Sequence, residues 1–171
     1  MRTFGVVAVL CAVPATVTLV AAPPGASLPL SGEEALETTA QAIRLAGFAM
    51  LSWVSNQPDE IPHRPEMPPR TPTRIDWRDC PPLDPEDAVG LIEPEYLPRL
   101  PRLDGWGRPL EYCLSRTDVT VERGLVGVRS AGPDGMFQGP VYRRGPFPRT
   151  DPRGDLVWFD GWFITWPEGW E

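Results

Sequence analysis

Residues 31–58 read SGEEALETTAQAIRLAGFAMLSWVSNQP. Ser31 and Glu34 have the spacing of a capping box, in which the serine hydroxyl accepts from the third amide of a helix while the glutamate reaches back to the serine amide. From Leu36 onward Ala40, Ile43, Gly47, Met50 and Val54 recur at steps of three and four, which places one apolar stripe along a helix. Asn56-Gln57-Pro58 ends it. At a rise of 1.5 Å per residue, such a helix of about 24 residues is roughly 36 Å long. The middle of its stripe is alanine and glycine, a surface that lets a sheet approach closely. Glu33, Glu34, Glu37, Gln41 and Arg44 keep it out of a membrane.

On the N-terminal side, residues 4–22 (FGVVAVLCAVPATVTLVAA) are apolar and uncharged behind Arg2. This is the pattern of a secretory h-region or of an N-terminal membrane anchor, so residues 1–27 read as a signal peptide or anchor of an exported protein. Cys11 lies within the run without the small residue expected before a lipidated cysteine. Cys80 and Cys113 remain for the exported part, and an even pair in an oxidising compartment is a disulfide candidate. The domain would then sit in the periplasm, free or anchored in the inner membrane.

Beyond the helix, assigned to residues 28–57, the stretch 58–72 (PDEIPHRPEMPPRTP) carries six prolines. Proline fixes φ and removes the amide donor, so a linker or surface loop over 58–84 is expected there. The only histidine, His63, lies in it and reads as solvated. Asp84-Pro85 is an N-cap followed by proline at the first helical position, opening a short helix to about Ile92. Residues 85–171 read as a small β-rich globular part. Leu110–Leu114 and Leu125–Val128 are candidate strand partners, with 116–123 as their connection. Residues 130–155, rich in Gly, Pro and Arg, read as a long loop, a feature that commonly needs a function, a metal or a covalent tie to hold it. In the tail, Asp160-Gly161 favours a two-residue hairpin turn pairing Trp158 with Phe163 and Phe159 with Trp162.

The chain has 171 residues, 23 prolines and a formal charge of −7, and every one of its 16 basic residues is arginine. That is room for one modest domain after the N-terminal segment is subtracted. Nucleic acid is excluded as a partner class, because no basic stripe is present.

The segment Tyr96–Tyr112 (YLPRLPRLDGWGRPLEY) and the segment Val128–Gly135 (VRSAGPDG) together resemble the type II secretion major pseudopilin family. In that family a Leu-Pro segment leads into Asp-Pro-Trp-Gly-Asn-Pro-Tyr and a strand, and Ser-x-Gly-x-Asp-Gly opens an acidic loop ending in Asp-Ile. Gly154-Asp155-Leu156 is the nearest equivalent of that end. The resemblance spans about residues 90–160, and the helix at 32–55 more weakly. It implies an α+β fold, a long N-terminal helix packed on a small antiparallel sheet with long irregular loops. It also implies a Ca²⁺ ion held by the Ala131 carbonyl and the Asp134 and Asp155 carboxylates. Calcium takes six to eight oxygens from such irregular backbone, and Asp151 and Asp160 are further carboxylates nearby in sequence. The implied role is non-enzymatic: a structural or accessory component of a secretion or envelope assembly, contacting the membrane through its N-terminus and other envelope proteins or copies of itself.

This chain departs from the family at the start, where Gly5 is followed by Val6 and the fifth position is Leu10 rather than glutamate. The loop 136–153 is also longer, and Arg143, Arg144, Arg149 and Arg153 offer Arg–Asp pairing as a substitute for an ion. A second reading rests on Trp158, Trp162, Trp166 and Trp170. If residues 156–166 were one continuous strand, the first three would share a face and form a platform for carbohydrate or cell-wall polymers. A third would use Asp134 and Asp155 as the acid and base of a hydrolase. No nucleophile elbow, zinc-binding His pair or phosphate loop accompanies them.

Overall fold

The computed structural model describes residues 30–57, 72–115 and 126–170. The N-terminal apolar segment, the proline-rich stretch 58–71 with His63, and the connection 116–123 lie outside the described residues. Helix α1 spans Gly32–Ser55. Its capping box is formed: the Glu34 amide donates to Ser31 Oγ at 3.3 Å, and the Ser31 amide donates to Glu34 Oε2 at 3.0 Å. Leu36, Ala40, Ile43, Gly47, Met50 and Val54 are all buried on one side of it. Helix α2, Pro85–Ile92, starts from Asp84, whose Oδ1 accepts from the Glu86 amide at 2.8 Å. Among the described residues no helix is long and apolar enough to cross a membrane.

The strands are β1 (Arg74–Asp76), β2 (Pro82–Leu83), β3 (Glu111–Leu114), β4 (Val126–Ser130), β5 (Val141–Arg143), β6 (Gly145–Phe147), β7 (Leu156–Phe159) and β8 (Trp162–Pro167). Six form one sheet in the order β2-β3-β4-β7-β8-β6, and β1 pairs with β5 in a separate two-stranded ribbon. The α+β class holds, but the sheet is neither small nor wholly antiparallel, because β6 runs parallel to β8. Two boundaries also shift. Residues 74–83, read as the end of a linker, carry β1, a 3₁₀ turn (Trp77–Asp79) and β2, while 141–147 within the supposed long loop carry β5 and β6. A three-residue strand paired with a distant partner leaves no periodicity to read. Proline is tolerated where only one side of a strand is hydrogen-bonded.

Strand alternation explains why both faces of the sheet are buried. Tyr112, Leu114, Val126, Val128, Leu156 and Trp158 point to the α1 side and join Ile43, Met50 and Ile92 in the larger core. Cys113, Val157, Phe159 and Ile164 point the other way and meet Ile75, Trp77 and Tyr142 beneath the ribbon. The central strands are therefore covered by a helix on one side and by β1, β5 and the 3₁₀ turn on the other.

The Asp104–Arg108 turn fastens these layers. Asp104 is buried; its Oδ1 accepts from the Trp106 and Arg108 amides at 2.9 Å, and its Oδ2 accepts from Ser130 Oγ at 2.7 Å. The Gly105 amide donates to Thr39 Oγ1 at 2.8 Å, and that hydroxyl donates to the Ala35 carbonyl at 2.7 Å. One turn thus grips both α1 and β4, and Trp106 lies partly buried against the larger core.

Helix and sheet approach closely at Gly47, where a Cβ would lie 2.4 Å from the Trp158 ring. Alanine is the better helix former by about 1 kcal/mol, but here the overlap decides the sign, since the ring is fixed between strands. Gly47→Ala is expected to destabilise by about 1–3 kcal/mol, the usual cost of overpacking, as read from the urea midpoint.

Candidate functional site

Strands β4 and β7 are antiparallel with Ser130 opposite Leu156, so Ala131 and Asp155 leave the sheet side by side. Register alone brings together residues 24 positions apart. Ala131 is buried, and Gly132 follows it with φ of +65°. A Cβ at Gly132 would lie 2.4 Å from the Gly154 carbonyl oxygen, so the two segments cross with no room for a side chain. Arg108 donates to the Gly132 carbonyl and steadies the same bend. Pro133-Asp134-Gly135 then turns as its composition dictates: Asp134 Oδ1 accepts from the Met136 amide at 2.9 Å, and Gly135 has φ of +74°. The Asp134 amide donates to the Pro152 carbonyl at 3.1 Å, which ties this turn to the segment leading into Asp155.

Asp155 is only 4% exposed. Its Oδ2 accepts from the Gln138 amide and from the Tyr142 hydroxyl, both at 2.9 Å. Its Oδ1 is buried and, among the described residues, has no hydrogen-bond partner. Burial raises the Asp155 carboxyl above its ordinary range, the Asp134 charge adds to the rise, and the two donors and Arg129 oppose it. An unpartnered carboxylate oxygen in such a place is costly without a compensating charge. A buried carboxylate oxygen left open in this way, with a second carboxylate in the adjoining turn, is the kind of oxygen ligand that a hard cation takes.

Asp151 and Asp160 do not join them. Asp151 Oδ1 accepts from the Arg153 amide at 3.0 Å within its own turn. Asp160 Oδ1 accepts from the Val126 amide at 2.9 Å, at the opposite end of β4, about 13 Å away at strand spacing. Among the described residues no three His, Cys, Asp or Glu side chains converge on one point. Three of the four loop arginines have partners outside the Asp134–Asp155 pair: Arg149 with Glu33 at 2.8 Å, Arg144 over the Trp166 ring at 5.0 Å, and Arg153 with Asp151 at 3.6 Å, the one Arg–Asp pair of this loop among the described residues. The residues that complete the surroundings, Arg129, Gln138 and Tyr142, carry no motif. Strand β5, which delivers the tyrosine, is three residues long and carries no alternating pattern that could have located it.

Cys80 and Cys113 form a disulfide with Cα atoms 5.6 Å apart, where β2 meets β3. Both are buried in the second core.

The tryptophans do not form a platform. The chain turns at Asp160 (φ 46°) and Gly161 (φ 95°), giving the cross-strand pairs Trp158–Phe163 and Phe159–Trp162. Trp158 is 1% exposed beneath α1, whereas Trp162 is 41% exposed on the other side of the turn. The continuous strand that the carbohydrate reading needs is absent, because the hairpin turn residues fold it in two. Comparison of the chain with family models, curated proteins and solved structures finds no match in any of the three.

Proposed function

We propose that this protein is a non-enzymatic, exported, pseudopilin-like structural or accessory component of a bacterial secretion or envelope assembly, with the segment 131–155 stabilised by calcium. The observation that carries the reading is the buried, unpartnered Oδ1 of Asp155 beside the Asp134 turn. Asp134, Asp155 and the Ala131 carbonyl would hold the ion, whose contribution is charge neutralisation and cross-linking of the two crossing segments. Export is supported by the apolar segment 4–22 ahead of α1 and by the Cys80–Cys113 disulfide, a bond of oxidising compartments. The assembly partners are other envelope proteins or further copies of the chain, with the N-terminal segment at the membrane.

The test is the melting temperature of the full chain in detergent, with calcium and with chelator. A ligand that binds only the native state adds about 2.7 kcal/mol at a hundredfold excess over its Kd, so a clear rise is expected with calcium and its reversal with chelator. Asp155→Asn should abolish the rise while melting no lower than the metal-free parent, because it removes a buried charge. The pH dependence follows. In the fold Asp155 binds its proton more tightly than at the ordinary value of 3.8, so its stabilising contribution is full below that value and is lost as pH rises through the raised one. Calcium binds the ionised form, so its effect should be largest at neutral pH and fade as the medium is acidified. Equal melting with and without calcium at neutral pH would remove the ion from the proposal.

A further inference from the structure

Asp155 has two chemically equivalent oxygens, and the fold treats them differently. Oδ2 receives two hydrogen bonds, from the Gln138 amide and from Tyr142, while Oδ1 receives none from the described residues. The tyrosine's donor is itself held in place. Arg129 Nη1 donates to Tyr142 Oη at 3.1 Å, which occupies the hydroxyl's acceptor side and commits its own proton to Asp155. Arg129 has little freedom to withdraw. It pairs with Glu111 Oε2 through Nη2 at 2.6 Å and Nε at 2.9 Å, and its guanidinium lies over the Phe137 ring at 3.9 Å and the Trp77 ring at 4.4 Å. Tyr142 is buried between the two, with its ring in the second core.

We infer that Tyr142 is the specificity-determining residue of this cation site: by engaging Asp155 Oδ2, it holds the carboxylate to one-oxygen coordination through Oδ1. This rests on the cation reading of Asp134 and Asp155 given above. The consequence lies in the choice of ion. A carboxylate that can offer both oxygens suits the larger Ca²⁺, which accepts six to eight ligands at flexible angles; Mg²⁺ takes single oxygens in a strict octahedron. A carboxylate restricted to one oxygen forfeits that advantage of calcium. The native site should therefore discriminate weakly between the two ions, and Tyr142→Phe, which keeps the ring beside Arg129 and opens one of the two acceptor positions of Oδ2 while the Gln138 amide keeps the other, should sharpen the preference.

The experiment is calorimetric titration of the full chain in detergent with calcium chloride and with magnesium chloride, for the parent and Tyr142→Phe. The expected result is calcium binding tightened by about tenfold in the variant with magnesium binding unchanged. Equal changes for both ions, or no change for either, would overturn the assignment of Tyr142 and leave the cation site standing. Binding of neither ion by the parent would overturn both. Infrared difference spectra of the calcium-bound parent give a readout that does not depend on the variant folding. The Asp155 carboxylate band, identified as the calcium-induced band that Asp134→Asn retains at saturating calcium, should have the wide splitting of one-oxygen coordination. The narrow splitting of a two-oxygen chelate in the parent would refute the proposal.

Discussion

Trp158→Ala should cost about 3–5 kcal/mol, the range for removing a large aromatic side chain from a packed core. Few other single changes would remove as much. The indole is 1% exposed, it fills the notch left by Gly47, and its ring meets Phe48 edge-on with centroids 5.5 Å apart. Its strand β7 is bonded to β4 on one side and β8 on the other, so the surrounding backbone cannot collapse into the void. A domain of this size has about 5–15 kcal/mol of total stability, and the variant would therefore unfold at much lower urea. The same geometry makes a coupled prediction. With the indole gone, Gly47→Ala loses its clash and keeps its helix advantage, so the penalties of the two changes should be strongly non-additive. Additive penalties in a double-mutant cycle would show that helix and sheet do not meet at this point.

The second large effect is expected from Cys80 and Cys113. The bond joins residues 33 positions apart, enclosing β2, α2 and the Asp104 turn, and constrains the unfolded chain by about 3–4 kcal/mol on the loop-entropy account. Both sulfurs are buried, so the effect should appear only on unfolding. The double replacement by alanine should melt lower than the parent and be indifferent to reductant. The parent should fall to a similar midpoint once unfolded and refolded under reducing conditions. If reductant leaves the parent's unfolding midpoint unchanged while both thiols become alkylated, the link contributes nothing. The export proposal would then lose one of its supports.

The elements legible from residues alone are those whose signals are local. Ser31 and Glu34, Asp84 and Pro85, and Asp160-Gly161 each act within a few residues, and α1, α2 and the β7–β8 hairpin stand where those signals place them. Strands β1, β5 and β6 were not legible. Ile75 acquires its strand conformation by pairing with Tyr142, 67 positions away, and neither neighbourhood carries an alternating pattern long enough to read. The same limit governs the site. Pro-Asp-Gly alone is only a turn, and Asp134 and Asp155 are singled out by the resemblance, through Ser-x-Gly-x-Asp-Gly and Gly154-Asp155-Leu156. Their proximity depends on the β4–β7 register, and the unequal treatment of the two Asp155 oxygens depends on a tyrosine delivered by the ribbon.

The strand order has a bearing on how such a molecule could associate. The outermost members of the six-stranded sheet are β2, two residues long and beginning with Pro82, and β6, three residues long with Pro146 at its centre. Each margin is short and lacks one amide, so neither offers a continuous ladder onto which a stranger's backbone could zip. Among the described residues, association through the margins of this sheet would run through side chains, and its geometry would be written in surface residues that substitution can change one at a time.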